Sequence, residues 1–389
     1  MMTVERVNAA GQPARPPLTQ IPAQLGSLAD YARLAREHME AHAWAHIESG
    51  ADQHLSLAHN RSAFDQLRLC PQALADLSAA NTTQTLLGQA LQWPVLLAPV
   101  AYQCLAHPEG ELATVRAAMA MRTGMVVSTL ASHTLQEIAQ AASAATQELG
   151  RGGPLWFQLY QQATREHTLS LVRRAEDAGY QALVWTVDAH IKRSSYPLPP
   201  GVEAVNLRGM PEQRQSTDLM SEQILFGTDL ARHAPSWDDL VWLREQTRLP
   251  LIVKGVLSPR VAAKIAQLGA DAIVVSNHGA RVLDTVVSPL EVLPAIRAAT
   301  PSHIPLLMDS GVRQGTDILK AIALGASAVM LGRPQMHALA VAGMLGVAHM
   351  LYLLRAELEL AMAQTGCATL ADIGSDVIAQ QWLSEGKRL

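Results

Sequence analysis

Two short segments near the end of the chain, Asp309-Ser310-Gly311-Val312-Arg313 and Leu331-Gly332-Arg333-Pro334, set glycines and arginines directly behind apolar runs. Glycine lets backbone N–H groups approach an anion, and a guanidinium pairs with phosphate oxygens through charge-assisted hydrogen bonds. Gly311, Arg313, Gly332 and Arg333 therefore read as a phosphate site. A third segment is Ile273-Val274-Val275-Ser276-Asn277-His278-Gly279-Ala280-Arg281. Three β-branched residues run straight towards a histidine, a glycine behind it permits a sharp turn, and an arginine follows. Other apolar runs also close on polar or ionisable side chains: Ser128, Gln158 with Tyr160, Thr186 with Asp188, and Lys254. Singly, each has a bland reading as a helix cap, a rim residue meeting water or a snorkelling lysine. Together they put chemistry at the end of nearly every run.

The elements that must carry these residues repeat. Eight apolar runs cover 94–100, 124–130, 155–160, 182–188, 249–255, 271–277, 304–311 and 327–334. Each is continuously apolar instead of alternating, as expected of parallel strands covered on both faces. Helical spacing separates most of them, and Leu-Gly-Ala precedes two, at 268–270 and 324–326. The pattern predicts an α/β protein with a (β/α)8 TIM barrel. A doubly wound nucleotide fold would want G-x-G-x-x-G behind its first strand, and that pattern is absent. In a barrel the C-terminal strand ends converge on one mouth, where the loops after strands seven and eight commonly hold phosphate.

Residues 1–27 read as a flexible Pro/Ala-rich start to a single domain spanning 1–389, with helices through 27–51, and the stretch outside the barrel pattern runs to about residue 90. Residues 189–235 form a long polar insertion after the fourth strand, expected to act as a lid or binding loop. With 389 residues, 49% hydrophobic and 16% charged, the chain can bury a large core. A net charge of −4 gives no general basic field for nucleic acid or an anionic membrane. Cys70, Cys104 and Cys367 lie far apart, which suits a reducing compartment and offers no disulfide framework or zinc motif. With no apolar secretory segment at the start and no apolar run of ~18 residues, a cytoplasmic location is expected. His38, His42 and His46 recur at steps of four and would share a helical face, but no further ligand is assignable and no metal is expected.

Longer motifs add to this reading. They are Glu48-Ser-Gly-Ala-Asp-Gln53 with the helix behind it, "APVAYQ", "AHPEGE", "FQLY", "TVD", "KGV", "SNHGARVLD" and "DSGVRQGTDILKAIALGASAVMLGRP". On these motifs the chain resembles the FMN-dependent 2-hydroxy-acid oxidase and dehydrogenase family from about residue 28 to about 365. The resemblance implies a flavin across the barrel mouth, its phosphate at Gly311, Arg313, Gly332 and Arg333. Pro99, Val100 and Ala101, with Ser128, Gln158 and Thr186, would line the ring, and Ser276 and Asp309 belong to the same cofactor set. Lys254 would stabilise the anionic reduced flavin. His278 would be the base, Asp188 would stabilise its protonated form, Arg281 would bind a substrate anion, and Tyr160 would offer a hydroxyl.

Two positions depart from the family pattern. His46 stands where the family has a substrate-binding tyrosine, and the segment that carries a carboxylate-gripping arginine after "TVD" is shortened, leaving Arg193 or Lys192 as the nearest replacement. The expected function is oxidation of a 2-hydroxy acid to a 2-oxo acid, by an enzyme that assembles as a homotetramer and hands its electrons to O2 or another acceptor. The departures open an alternative: a specialised oxidase whose substrate is larger, amino-bearing, carboxylate-modified or carried on a peptide. A flavin binder without turnover is the reading from another class, and the His278 and Asp188 pair argues against it.

Overall fold

The computed structural model describes residues 7–191, 198–199, 201–211 and 225–379. A hairpin of β1 (Gln84–Leu86) and β2 (Gln89–Leu91) precedes eight parallel strands. These are β3 (Val95–Leu97), β4 (Gly124–Ser128), β5 (Leu155–Leu159), β6 (Leu183–Thr186), β7 (Leu251–Val256), β8 (Ala272–Val275), β9 (Leu306–Met308) and β10 (Ala328–Leu331). They close in the order β10-β3-β4-β5-β6-β7-β8-β9, and each strand falls on one of the eight apolar runs, β7 passing the end of its run by one residue. The predicted (β/α)8 barrel is the observed fold.

Three helices come first: α1 (Leu28–His38), α2 (Ala41–Glu48) and α3 (Leu55–Gln66). Around the barrel lie α4 (Gly110–Ala120), α5 (Leu135–Leu149), α6 (Arg165–Asp177), the single turn α7 (Asp229–Arg232) and α8 (Trp237–Gln246). They continue with α9 (Pro259–Gln267), α10 (Pro289–Ala299), α11 (Gly315–Ala323) and α12 (Arg333–Gln364).

The strands are apolar throughout because successive side chains enter two different cores. Leu96, Val126, Trp156, Val184, Ile252, Val274, Leu307 and Met330 fill the barrel interior. Their neighbours, such as Val127, Phe157, Val253 and Ile273, pack outward against the helices. This is the two-residue period of a strand with both faces covered.

The hairpin lies in the stretch before residue 90, where only an irregular start and the helices through 27–51 are predicted. Its strands have three residues each, too few to show a period, and the turn between them holds Leu87 and Gly88 at positive φ, 51° and 75°. Leu86 and Leu91 close the interior core from the N-terminal end of the barrel. The segment from residue 7 to 27 lies beside α1, where Asn8 Nδ2 donates to the Glu37 carbonyl at 2.9 Å.

Helix α12 bends at Ala342 and Gly343, whose φ is +54°, which joins the two predicted C-terminal helices end to end. By length and composition it could cross a membrane; 67% of its apolar window is buried, however, and it packs on α1, α4 and α11. The histidine ladder does not form as expected. α1 stops at His38, Met39 is extended, and only His42 and His46 share a helix.

Candidate active site

Four adjacent strands deliver a polar row to the barrel mouth. Ser128 stands in register with Gln158, and Thr186 with Lys254. Ser128 Oγ donates to Gln158 Oε1 at 3.2 Å, which leaves Gln158 Nε2 buried without a partner. Thr186 Oγ1 and Asp188 Oδ2 are likewise buried and unpartnered. Buried polar atoms in folded proteins are nearly always satisfied, so orphans gathered at one mouth point to a polar ligand.

β8 ends in a backbone that few side chains tolerate. His278, Gly279 and Ala280 have φ of 58°, 64° and 61°, and a left-handed non-glycine residue costs roughly 1–2 kcal/mol. Side chains hold the turn. Ser276 Oγ accepts from His278 N, Ser310 Oγ from Gly279 N, and Asn277 Oδ1 from Ala280 N, each at 3.0 Å. The imidazole is thereby fixed with Nδ1 3.0 Å from Asp188 Oδ1 and Nε2 3.4 Å from the Tyr160 hydroxyl. Burial alone would raise the Asp188 carboxyl, but His278 and Lys254 outweigh it and hold the group below its ordinary value. An ionised Asp188 keeps the proton on Nδ1, so Nε2 is the basic nitrogen. Gly255 makes room for this pair, since a Cβ there would lie 2.4 Å from Asp188 Cγ.

Lys254 Nζ meets Asp309 Oδ2 and Ser276 Oγ, both at 2.9 Å. Burial disfavours its charge, but Asp309 and Asp188 more than compensate, and its pKa is raised. The Tyr160 phenol is pushed up by burial and then by Asp188, so it stays protonated and can donate.

Two more arginines stand opposite. Arg333 donates to the carbonyls of Ile47, Gly279 and Ser49 at 2.9–3.1 Å, and Arg313 to its neighbour Val312 at 2.7 Å. Burial lowers both to about 10, with mutual repulsion adding to the effect at Arg313. Glu48 offsets part of this charge, 3.8 Å from Arg333 Nε, while also accepting from His337 at 2.8 Å. Two cations sharing one carboxylate leave positive potential directed at the mouth beside Gly311 and Gly332.

The cavity brings together most of the predicted residues. Pro99, Val100, Ala101, Ser128, Tyr160, Lys254, His278, Arg281, Asp309, Gly311, Arg313, Gly332 and Arg333 line it, as does His46. Gln158, Thr186, Asp188 and Ser276 stand just behind and bond to, or lie in register with, the lining groups. Arg193 lies outside the described residues. The reading missed Tyr102, Leu130 and Leu198 as walls; Tyr102 belongs to the quoted "APVAYQ", and its φ of +53° aims it inward, edge-on to His46.

A profile of FMN-dependent dehydrogenases matches residues 35–380. The chain belongs to that family. It is 46% identical over 369 residues to an L-lactate oxidase of Alicycliphilus denitrificans, covering 93% of this chain and 98% of the relative. It is 37% identical to glycolate oxidase of Spinacia oleracea, covering 92% and 97%. A crystal structure of mandelate oxidase with (S)-2-phenylpropionate superposes with a TM-score of 0.80 at 37% identity, over 91% of this chain and 98% of that one. The protein is thus an FMN-dependent 2-hydroxy-acid oxidoreductase. The donor set fits the cofactor: two buried cations for a phosphate, and orphaned Gln158 Nε2 and Thr186 Oγ1 where a polar ring edge would lie.

Proposed function

We propose that this enzyme oxidises a 2-hydroxy acid with a side chain larger than methyl, and that His278 Nε2 takes the proton from the substrate. The observation that carries the reading is the hydrogen-bonded series Asp188–His278–Tyr160, held at the mouth beside Arg281. FMN, when bound, supplies the acceptor for two electrons; Arg313 and Arg333 would hold its phosphate, and Lys254, Gln158 and Thr186 its ring. Asp188 stabilises the imidazolium that forms. Arg281 is placed to grip the carboxylate. Its Nη1 is pinned to the carbonyls of His46, Ile47 and Ser49 at the end of α2, and among the described residues its Nε and Nη2 make no hydrogen bond.

Substrate size follows from what surrounds that grip. His46 replaces a tyrosine anchor and the loop after β6 is short of an arginine, so a small acid loses interactions worth ~1.5–3 kcal/mol each. Tyr102, Leu130 and Leu198 offer an apolar wall that a larger side chain could use. The relatives named L-lactate oxidase favour lactate as the second reading. Steady-state assays on glycolate, L-lactate, mandelate and longer 2-hydroxy acids separate the two. A longer or aromatic acid should exceed lactate at least about tenfold in kcat/KM. Lactate turnover above ~10⁴ M⁻¹s⁻¹, the ordinary range for an enzyme on its own substrate, would overturn the proposal.

We further infer that O2 reoxidises the enzyme, which one-for-one oxygen uptake per substrate would support. A cytoplasmic homotetramer is the expected assembly. Light scattering on the FMN-loaded protein tests its size, and cell fractionation its location.

A further inference from the structure

Outside the active-site cavity, two successive connections of the same rim bring together a thiol, a carboxylate and an imidazole. Cys104 lies in the turn after β3, Glu111 in the first turn of α4, and His133 in the loop between β4 and α5. One donor atom of each lies within 4.8 Å of the other two. Glu111 is fully buried. Its Oε1 accepts from the backbone N–H groups of Gln103 at 3.1 Å and Ser132 at 3.0 Å. Its Oε2 is buried and has no hydrogen-bond partner. A carboxylate oxygen in that position is costly unless a cation or proton meets it.

The geometry of the other two donors says which cation. Cys104 Sγ and His133 Nε2 are 3.6 Å apart, within reach of a thiol–imidazole hydrogen bond when no metal is bound. With Zn–S of about 2.3 Å and Zn–N of about 2.05 Å, a tetrahedral site has a sulfur-to-nitrogen edge of about 3.6 Å. A thiolate with an imidazole also selects zinc over magnesium or calcium. Cys104 is exposed and His133 half-buried, so the cluster is open to solvent on one side.

We propose that Cys104, Glu111 and His133 form a three-ligand zinc site whose fourth position is open to water. Binding releases the Cys104 thiol proton, which without the metal has the Pro108 carbonyl at 3.4 Å and His133 Nε2 at 3.6 Å as partners. The bound ion clamps two loops together. Those loops also carry Tyr102 and Leu130, two walls of the substrate cavity, joined by a Tyr102 N–H to Leu130 carbonyl bond of 3.0 Å. Local sequence motifs do not reveal the site because its ligands come from successive barrel connections.

The test uses the FMN-loaded protein, stripped of metal with a chelator and titrated with ZnCl2 by calorimetry, with elemental analysis for stoichiometry. One zinc per chain is expected. Cys104→Ser and His133→Ala should each weaken binding at least about 100-fold, the upper end of what even outer-shell partners cost. Both variants should retain full FMN, which certifies the fold; Glu111 is left intact because its Oε1 carries two backbone bonds. In the parent protein, zinc should also slow iodoacetamide labelling of Cys104, read by peptide mass spectrometry. Absence of stoichiometric zinc overturns the proposal, as does zinc held equally well by both variants or labelling of Cys104 indifferent to zinc.

Discussion

At the N-terminal end of the barrel, the hairpin seals an apolar interior and the polar groups there find partners. Gln84 Nε2 donates to the Ser327 carbonyl at 2.9 Å, Gln89 Nε2 to the Gln181 carbonyl at 3.1 Å, and Trp156 Nε1 to Gln89 Oε1 at 2.7 Å. At the C-terminal end, the same strands finish in buried polar atoms without partners, at Gln158, Thr186 and Asp188. Tyr102, His278, Ala280 and Ser310 hold left-handed backbone there, against Leu87 and Arg122 at the N-terminal end. Each orphan costs ~1–3 kcal/mol and each strained residue roughly 1–2 kcal/mol. One end of the barrel is therefore optimised for stability and the other for a ligand, and the first end must offset what the second sacrifices.

That division can be broken from either side. The largest effect is expected from Arg313→Ala combined with Arg333→Ala, which removes two charge-assisted partners worth ~1.5–3 kcal/mol each. FMN should then separate from the protein on gel filtration, and the variant apoprotein should unfold at lower urea than the parent apoprotein, because the carbonyls of Ile47, Ser49 and Gly279 lose Arg333. A double variant that keeps FMN at one per chain would place the phosphate elsewhere. His278→Asn comes next. It should retain FMN but slow its reduction by substrate ~10²–10⁴-fold in anaerobic stopped flow, because no neighbouring base replaces it. Near-normal bleaching would take His278 out of the chemistry.

Leu91→Ala attacks the other end. Truncating a buried leucine that plugs the interior should cost ~2–5 kcal/mol, read as a lower urea midpoint. The kcat of the folded fraction should not change. If kcat fell along with stability, the two ends would be mechanically coupled and the division too simple.

What was legible in the sequence follows the same line. The strands of the barrel announce themselves because Val126 and Val127, or Ile273 and Val274, are buried on opposite faces, leaving no polar residue to interrupt the run. The mouth is legible because glycine, arginine and histidine at strand ends have no place in a purely structural rim. The hairpin was not, since three-residue strands carry no period. Nor was the link from His337 through Glu48 to Arg333, which joins residues distant in the chain and exists only after α2 has packed against α12. The Cys104, Glu111 and His133 cluster was hidden for the same reason. Tertiary proximity, not local pattern, creates it.

The smallest expected effect concerns how the His278 loop is fastened. Asp284, six residues beyond the base, accepts at Oδ2 from Gln53 N and Leu55 N, both at 3.1 Å, and at Oδ1 from Ser56 N at 2.7 Å. These N–H groups open α3, where a carboxylate also meets the positive end of the helix. The bond from Ser56 leads the causes that lower the Asp284 carboxyl to about 2, from an ordinary 3.8. Because the folded value is the lower one, the fastening is complete above pH of about 4 and is lost as pH falls from there towards about 2. Asp284→Asn should therefore lower the urea midpoint by a constant amount from pH 7 to pH 5, and that gap should narrow below pH of about 4 as the parent carboxyl becomes neutral. The Leu91→Ala gap, arising from packing, should not narrow in this way. If the Asp284→Asn gap also stayed constant at low pH, shape and not charge would hold the loop, and the mouth would resemble the sealed end more than its electrostatics imply.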